Sequence, residues 1–335
     1  MTPQWRKSVD RKSGGSLVFA SAMKVLSIDG GGIRGLIPAL VLAEIERRTG
    51  RRTAEMFDLI AGTSTGGILA CALARRGEDG LPAHSAEELA DIYVTEGPKI
   101  FHRSLLKRFT SIEGLIDERY DDEGLNAALA TYLGDDRLKS VVTDVMLTAY
   151  DVHDRFAFFF RSSRARTDEE YDFSLAEAAR ATSAAPTYFE LVEVTDAAGA
   201  RTYPLIDGGV YAVNPSMCAY AEVVSGGGEV EVLASLGTGK HTKHFEYKDV
   251  RGWGKVEWVR PLIDIVFDGV ADTIDFEAAT LAGDRYKRFQ AELRYAADEL
   301  DDASESNLRR LEGDAERLLA EQTAEIEALC EVIAG

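Results

Sequence analysis

The sequence predicts an α/β fold, a mostly parallel central sheet with helices on both faces. Three observations carry this. A strand, a glycine-rich turn and a helix follow one another twice, as "KVLSID", "GGGIRG", "LIPALVLAEIERRTG" and then "FDLIAG", "TSTGG", "ILACALARR". "LIAG" is a short apolar run ending at glycine, the pattern of a buried strand. Further strands read at "VVTDVMLTAYDV", "FAFFFRSS", "YPLIDGG" and "VEVLASLGTG", and strands alternating with helices give a parallel sheet covered on both sides.

The first helix is amphipathic and closed by Gly50. The second carries Ile68, Leu69, Ala72 and Leu73 on one side, and Cys71 falls in the core. No internal repeat or low-complexity linker divides the chain, so residues 23–335 read as a single domain behind a flexible tail over residues 1–22. That tail, basic and then "LVFASA", imitates a signal peptide; its apolar part is shorter than an h-region, and cleavage there would fall at the first strand. Met23 is a second candidate start. From about residue 284 onward the chain reads as C-terminal helices, with Leu308, Leu311, Leu318, Ile326 and Leu329 at three-to-four spacing. A packing helix is the plain reading, and a coiled-coil contact in a homo-oligomer is the second.

The net charge of -19 excludes DNA or RNA as a general partner, because phosphate binding wants a basic footprint. An anionic membrane should also repel the average face of the molecule. Three widely spaced cysteines form no metal-like pair and fit a reduced, cytoplasmic setting. No run of 18 apolar residues occurs.

Ser64 lies between a strand and a helix, in Gly62-Thr63-Ser64-Thr65-Gly66. Small flanking residues allow a strained turn that projects the hydroxyl, as in a nucleophile elbow, although the pentapeptide alone also arises by chance. Gly30, Gly32 and Gly35 satisfy G-x-G-x-x-G after a strand. A dinucleotide site would need an acid ending the next strand, but that strand ends at Gly62 and enters the serine turn. Free N–H groups at a helix N-terminus still favour an anion. In an acyl hydrolase that anion is the oxyanion of the tetrahedral intermediate, with Gly31 and Gly32 as donors.

The base for the serine stays open on these grounds. His84, His102, His153, His241 and His244 occupy no loop motif following a strand. Asp207 ends an apolar strand before Gly208 and Gly209, at the sheet edge where ligands bind in α/β folds; a lone Asp there is usually only a turn residue. "ASLGTGKHT" imitates a phosphate loop but has Ala234 and His241 in place of its glycine and hydroxyl. The row Asp264, Asp268, Asp272 and Asp275 has helical spacing and reads as a solvated face rather than a calcium site.

Together the motifs resemble the patatin-like phospholipases, from residue 24 to about 320. "DGGGIRG" (29–35) is similar to the family's oxyanion loop, "GTSTGG" (62–67) to its nucleophile elbow and "DGG" (207–209) to its Asp-Gly-Ala/Gly motif. "GPKIF", "ATSAAPTYF", "SLGTG" and "DDASESNL" resemble blocks of plant patatins and their bacterial relatives. The resemblance implies a patatin-like three-layer sandwich and a Ser-Asp dyad without histidine, metal or cofactor. Ser64 would attack a phospholipid ester and Asp207 would act as base. Gly30, Gly31 and Gly32 would form the oxyanion hole, with Arg34 holding the loop or the charge. Gly35, Gly62, Gly66, Gly208 and Gly209 would shape the turns.

Two sets of basic residues carry further expectations. Lys99, Arg103, Lys107 and Arg108, interleaved with apolar residues in 97–109, would dock on anionic lipid or form a lid, with a solvated loop as the alternative. Similar bacterial proteins include phospholipase effectors switched on by cyclic dinucleotides in anti-phage signalling. On that resemblance Arg161, Arg164 and Arg166, together with the basic 97–109 segment, would meet a cyclic diphosphate, with ordinary surface arginines as the alternative. The protein would act peripherally on the inner membrane. The rival classes are a constitutive acyl hydrolase, a non-enzymatic lipid or nucleotide binder, a Rossmann oxidoreductase and a histidine-triad hydrolase.

Overall fold

The computed structural model describes residues 22–101, 120, 122–240 and 246–335. Its strands are β1 (Ala22–Ile28), β2 (Leu59–Gly62), β3 (Asp144–Asp151), β4 (Phe156–Arg161), β5 (Val192–Thr195), β6 (Thr202–Asp207), β7 (Glu229–Leu236) and β8 (Tyr286–Phe289). They form one sheet in the order β5-β6-β3-β2-β1-β7-β8, with β4 also paired to β3. The run β3-β2-β1-β7-β8 is parallel throughout, and β4, β5 and β6 join antiparallel. The sheet is thus mixed and mostly parallel, as the alternation of strands and helices predicts.

The longer helices are α1 (Leu36–Thr49), α2 (Thr65–Ala74), α3 (Ala86–Ile100), α4 (Asp122–Leu133), α5 (Leu175–Thr182) and α7 (Ser216–Ser225), with the single turn α6 (Gly209–Ala212) before α7. After these come α8 (Lys255–Ala282), α9 (Glu305–Glu321) and α10 (Thr323–Ala334). Side chains alternate across the sheet. Leu26, Ile60, Val145 and Leu147 join the larger core with residues of α1 to α5, α9 and α10. Val25, Leu59, Ala61 and Met146 pack on the other face with Ala219 and Val223 of α7. Gly50 closes α1 in the left-handed conformation, φ 67°, as a glycine C-cap should.

The reading of residues from about 284 as helical is corrected. Tyr286–Phe289 is a strand pairing with β7, and the terminal helices begin only at Glu305. "YKRF" is too short to carry a period, and its state is set by the open edge of β7. β5, equally short, also escapes the sequence reading. The tail over residues 1–21 lies outside the described residues.

One feature of the register positions the site. β4 pairs with β3 along 146–151 and occupies one edge of β3. β2 and β6 must therefore share the other edge, β2 at Asp144–Leu147 and β6 at Ala149–Asp151. Gly62 pairs with Leu147 and Asp207 with Ala149, two residues or about 7 Å further along β3. The chain leaving β2 turns at Ser64, and the end of β6 arrives beside it.

Candidate active site

Ser64 is held at φ 55°, ψ −125°, a conformation that L-residues adopt only when their surroundings enforce it. The enforcement is local. A Cβ on Gly62 would lie 2.2 Å from the Gly66 carbonyl oxygen, and one on Gly66 would lie 2.2 Å from that of Ile28. Both obstacles are backbone, so neither can yield. Gly66→Ala is expected to destabilise the fold by about 3 kcal/mol or more, measured by denaturant unfolding.

The turn is also tied from the side. The Ser64 N–H donates to Thr182 Oγ1 at 2.9 Å, and that hydroxyl donates to the Thr148 carbonyl at 2.6 Å. Thr63 Oγ1 donates to the Ala212 carbonyl at 2.6 Å and meets Thr148 Oγ1 at 2.7 Å. Three buried threonines thus join the elbow to β3, the strand that also positions Asp207. Their roles are absent from the sequence reading, although all three lie in quoted stretches: Thr63 in "GTSTGG", Thr148 in "VVTDVMLTAYDV" and Thr182 in "ATSAAPTYF".

Asp207 is 1% exposed. Its Oδ1 accepts the Gly209 N–H at 2.7 Å, while Oδ2 has no hydrogen-bond partner among the described residues. Burial pushes the carboxyl up to about 7, against the opposing pull of the Ser64 hydroxyl and the Gly209 N–H. Ser64 is close enough to stabilise the carboxylate yet makes no directed bond to it, a looseness common before substrate binds. A base poised near 7 suits proton transfer at neutral pH. Gly208 is fixed against Thr148, whose Oγ1 would lie 2.2 Å from a Cβ there.

The glycine loop packs on the elbow, since a Cβ on Gly30 would lie 3.2 Å from Ser64 Cβ. Gly32 has φ +56° and its Cβ position falls 2.2 Å from the Leu300 carbonyl oxygen, so no other residue fits. The Gly31 and Gly32 N–H groups have no acceptor among the described residues. Gly30 is corrected: its N–H is already donated to the Val213 carbonyl at 2.9 Å, so it offers closeness rather than a donor. Gly35 fits against Thr65 and Tyr93, whose hydroxyls bond each other at 2.5 Å.

Ser64, Asp207 and the glycine loop open on one pocket of about 1110 Å³, its mouth included. Its walls are apolar, with Ile68, Leu69, Leu89, Leu125, Leu129 and Phe101 among them. Ile68, Leu69 and Ala72, which the sequence places on one side of α2, line this pocket, and Leu69 belongs to the core as well. Arg34 belongs to a second, charged pocket behind the loop, with Asp29, Asp264, Asp268 and Arg288. Of its two expected roles only loop support survives, because Arg34 does not line the Ser64 pocket. Burial lowers its pKa, and Asp268, Asp264 and Asp298 oppose that shift.

The acidic row is a solvated face, as its spacing predicts: Asp268 and Asp272 are exposed and Asp264 and Asp275 half-buried. The same four residues border this charged pocket, and Asp272 pairs with Lys240 at 3.0 Å. Asp29 and Arg288 anchor the start of the glycine loop by two bonds of 3.0 and 2.6 Å. Burial holds the Asp29 carboxyl above its ordinary value, against the opposing pull of Arg288.

Among the described residues, the other basic candidates do not line the Ser64 pocket. Lys99 is exposed and pairs with Glu96 at 2.8 Å; Arg103, Lys107 and Arg108 lie outside the described residues. Arg161 pairs with Met146 on β3 and is buried, bonded to Glu222 at 3.1 Å, near the edge opposite the elbow. Arg164 stacks over Tyr171 at 4.9 Å, and Arg166 pairs with Asp144. These arginines hold the fold together. Of the histidines, His84 bonds the Tyr132 carbonyl at 3.1 Å and His153 is exposed beside Asp154; His102, His241 and His244 lie outside the described residues. Among the described residues, no three His, Cys, Asp or Glu side chains gather as metal ligands, and no helix is long and apolar enough to cross a membrane.

Fold and site together define an α/β protein of the lipid-hydrolase type. The family described as patatin-like phospholipase matches residues 26–219. Patatin-like protein 2 of Arabidopsis thaliana is 36% identical over 297 residues, covering 78% of this chain and 73% of its own. Patatin-like protein 1 of Oryza sativa subsp. indica is 33% identical over 341 residues, 90% and 82% of the two chains. A Solanum tuberosum relative described as probable inactive patatin-3-Kuras 1 is 30% identical over 333 residues, 90% and 87% of the two chains. The chain belongs to the patatin-like phospholipase family.

Proposed function

We propose that the protein is a lipid acyl hydrolase of the phospholipase A type, working by a Ser64–Asp207 dyad. Family membership supports the lipid substrate. Because one relative is described as inactive, the catalytic claim rests on the site itself. The observation that carries it is a serine held at φ 55° beside a buried carboxyl with a pKa of about 7, at the end of an apolar pocket.

In this reading Asp207 takes the Ser64 proton as Oγ attacks the ester carbonyl. The carbonyl oxygen becomes an oxyanion, stabilised by the Gly31 and Gly32 N–H groups and by the N-terminus of α2. The C–O bond to the lysolipid then breaks, and Asp207 returns the proton to the leaving oxygen. Water, deprotonated by Asp207, then attacks the acyl carbon; the bond to Ser64 Oγ breaks, Asp207 returns the proton to Oγ, and the fatty acid leaves. The apolar walls hold the acyl chain.

Fatty-acid release from mixed phospholipid vesicles tests this, comparing wild type with Ser64→Ala and Asp207→Ala. Activity that survives Ser64→Ala overturns the mechanism. Cyclic-dinucleotide control is the finer part of the proposal and rests on family resemblance. The same assay with a panel of these ligands tests it, and full activity without any ligand removes it.

Thr182 is assigned a positioning role through the Ser64 N–H. Thr182→Val is expected to lower kcat about 10- to 100-fold with KM little changed, the effect of one lost buried hydrogen bond. Thr182→Ser should restore the rate.

A further inference from the structure

Helix α8 lies over the catalytic edge. Phe267 borders both the Ser64 pocket and the charged pocket, and its ring is 3.1 Å from the Cβ position of Gly209. At 3.6 residues per turn the helix presents three faces. Phe267, Ile274 and Ala278 turn inward, and the acidic row lines the charged pocket. Leu262, Ile265, Val266, Gly269, Thr273 and Phe276 form the third face, pointing away from the protein. Leu262 is 51%, Ile265 39%, Val266 38% and Phe276 71% exposed.

We propose that this stripe is the surface by which the protein docks on an uncharged or zwitterionic lipid bilayer. The choice of a lipid surface rests on the acyl-hydrolase reading, and two observations support it. First, the stripe and the site share one helix: its opposite side, at Phe267, borders the Ser64 pocket. A bilayer against it would thus lie one helix diameter, about 10 Å, from the pocket wall. Amphipathic helices seat an apolar face about 5–10 Å into the headgroup boundary, so these side chains suffice for contact without a spanning segment. Second, charge selects the lipid. Asp264, Asp268 and Asp272 flank the stripe on a chain of net charge -19, and an anionic surface would be repelled. A clustered apolar face on a soluble chain otherwise marks a protein contact, so a second copy of this chain is the competing occupant.

Co-sedimentation with phosphatidylcholine vesicles, with and without phosphatidylserine, tests this for wild type and the triple variant Leu262→Ser, Ile265→Ser, Phe276→Ser. The variant is expected to lose vesicle binding about tenfold or more and release less fatty acid from vesicles. Its rate on a soluble short-chain ester should not change, because none of the three residues touches the reacting atoms. Should the triple variant unfold, Phe276→Ser alone is expected to give a smaller loss in the same direction. Unchanged vesicle binding overturns the proposal, as does binding that strengthens with phosphatidylserine. It also falls if wild type is a dimer in solution and the variant a monomer. A wild type that docks through the stripe yet hydrolyses neither substrate refutes the acyl-hydrolase reading and leaves the docking surface standing.

Discussion

Ser64→Ala is expected to abolish fatty-acid release, by about 10⁴-fold or more, since removing a nucleophile leaves only oxyanion stabilisation and binding. The fold should survive, because the turn is held by its backbone, which alanine keeps: the Ser64 N–H donates to Thr182, and its carbonyl accepts from Gly67 and Ile68. The strained backbone adds a second expectation. Glycine adopts φ 55° without steric cost, so Ser64→Gly should raise stability by about 1 kcal/mol while eliminating activity. Urea unfolding of the three proteins beside a vesicle assay separates the two effects. If Ser64→Gly is destabilising, the conformation is not strained and the elbow argument fails.

Asp207→Asn should abolish the rate and stabilise the protein at the same time. In the wild type, kcat/KM should rise as pH increases through about 7, when the buried carboxyl releases its proton and becomes a base. Stability runs the other way. Between about pH 4 and pH 7 the folded state keeps a proton that the unfolded state has lost, so stability falls as pH rises across that window. Above pH 7 the buried charge costs on the order of 4 kcal/mol. Asparagine carries no charge, so its advantage should be small near pH 4 and largest at pH 8. Thermal melts across pH test this, and a melting difference that ignores pH would remove the raised carboxyl from the account.

Both residues were legible in the sequence, for different reasons. The Ser64 turn announces itself through glycines at two-residue spacing, and the structure explains them: a Cβ on Gly62 or Gly66 would meet a backbone oxygen at 2.2 Å. Asp207 could be read only as a strand-end acid, and the family resemblance assigned its role. Of the histidines, the described His84 and His153 meet the Tyr132 carbonyl and Asp154. Arg161 shows the limit of such reading. An arginine in "FFFRSSRART" looks available for phosphate, yet β4 carries it inward against Glu222, and composition cannot tell the two apart.

The sequence by itself determined the alternation of strands and helices, the elbow, the glycine loop and the family. Each depends on neighbours within a few residues, where steric rules and hydrophobic period act directly. Tertiary structure alone decided that β2 and β6 share one edge of β3, which brings Asp207 to Ser64 across more than a hundred residues. It also decided that Gly30 gives up its N–H to Val213, that Arg34 turns away from the site, and that β8 is a strand. Pairing, burial and the direction of a side chain depend on what the rest of the chain places opposite, and no local pattern records that.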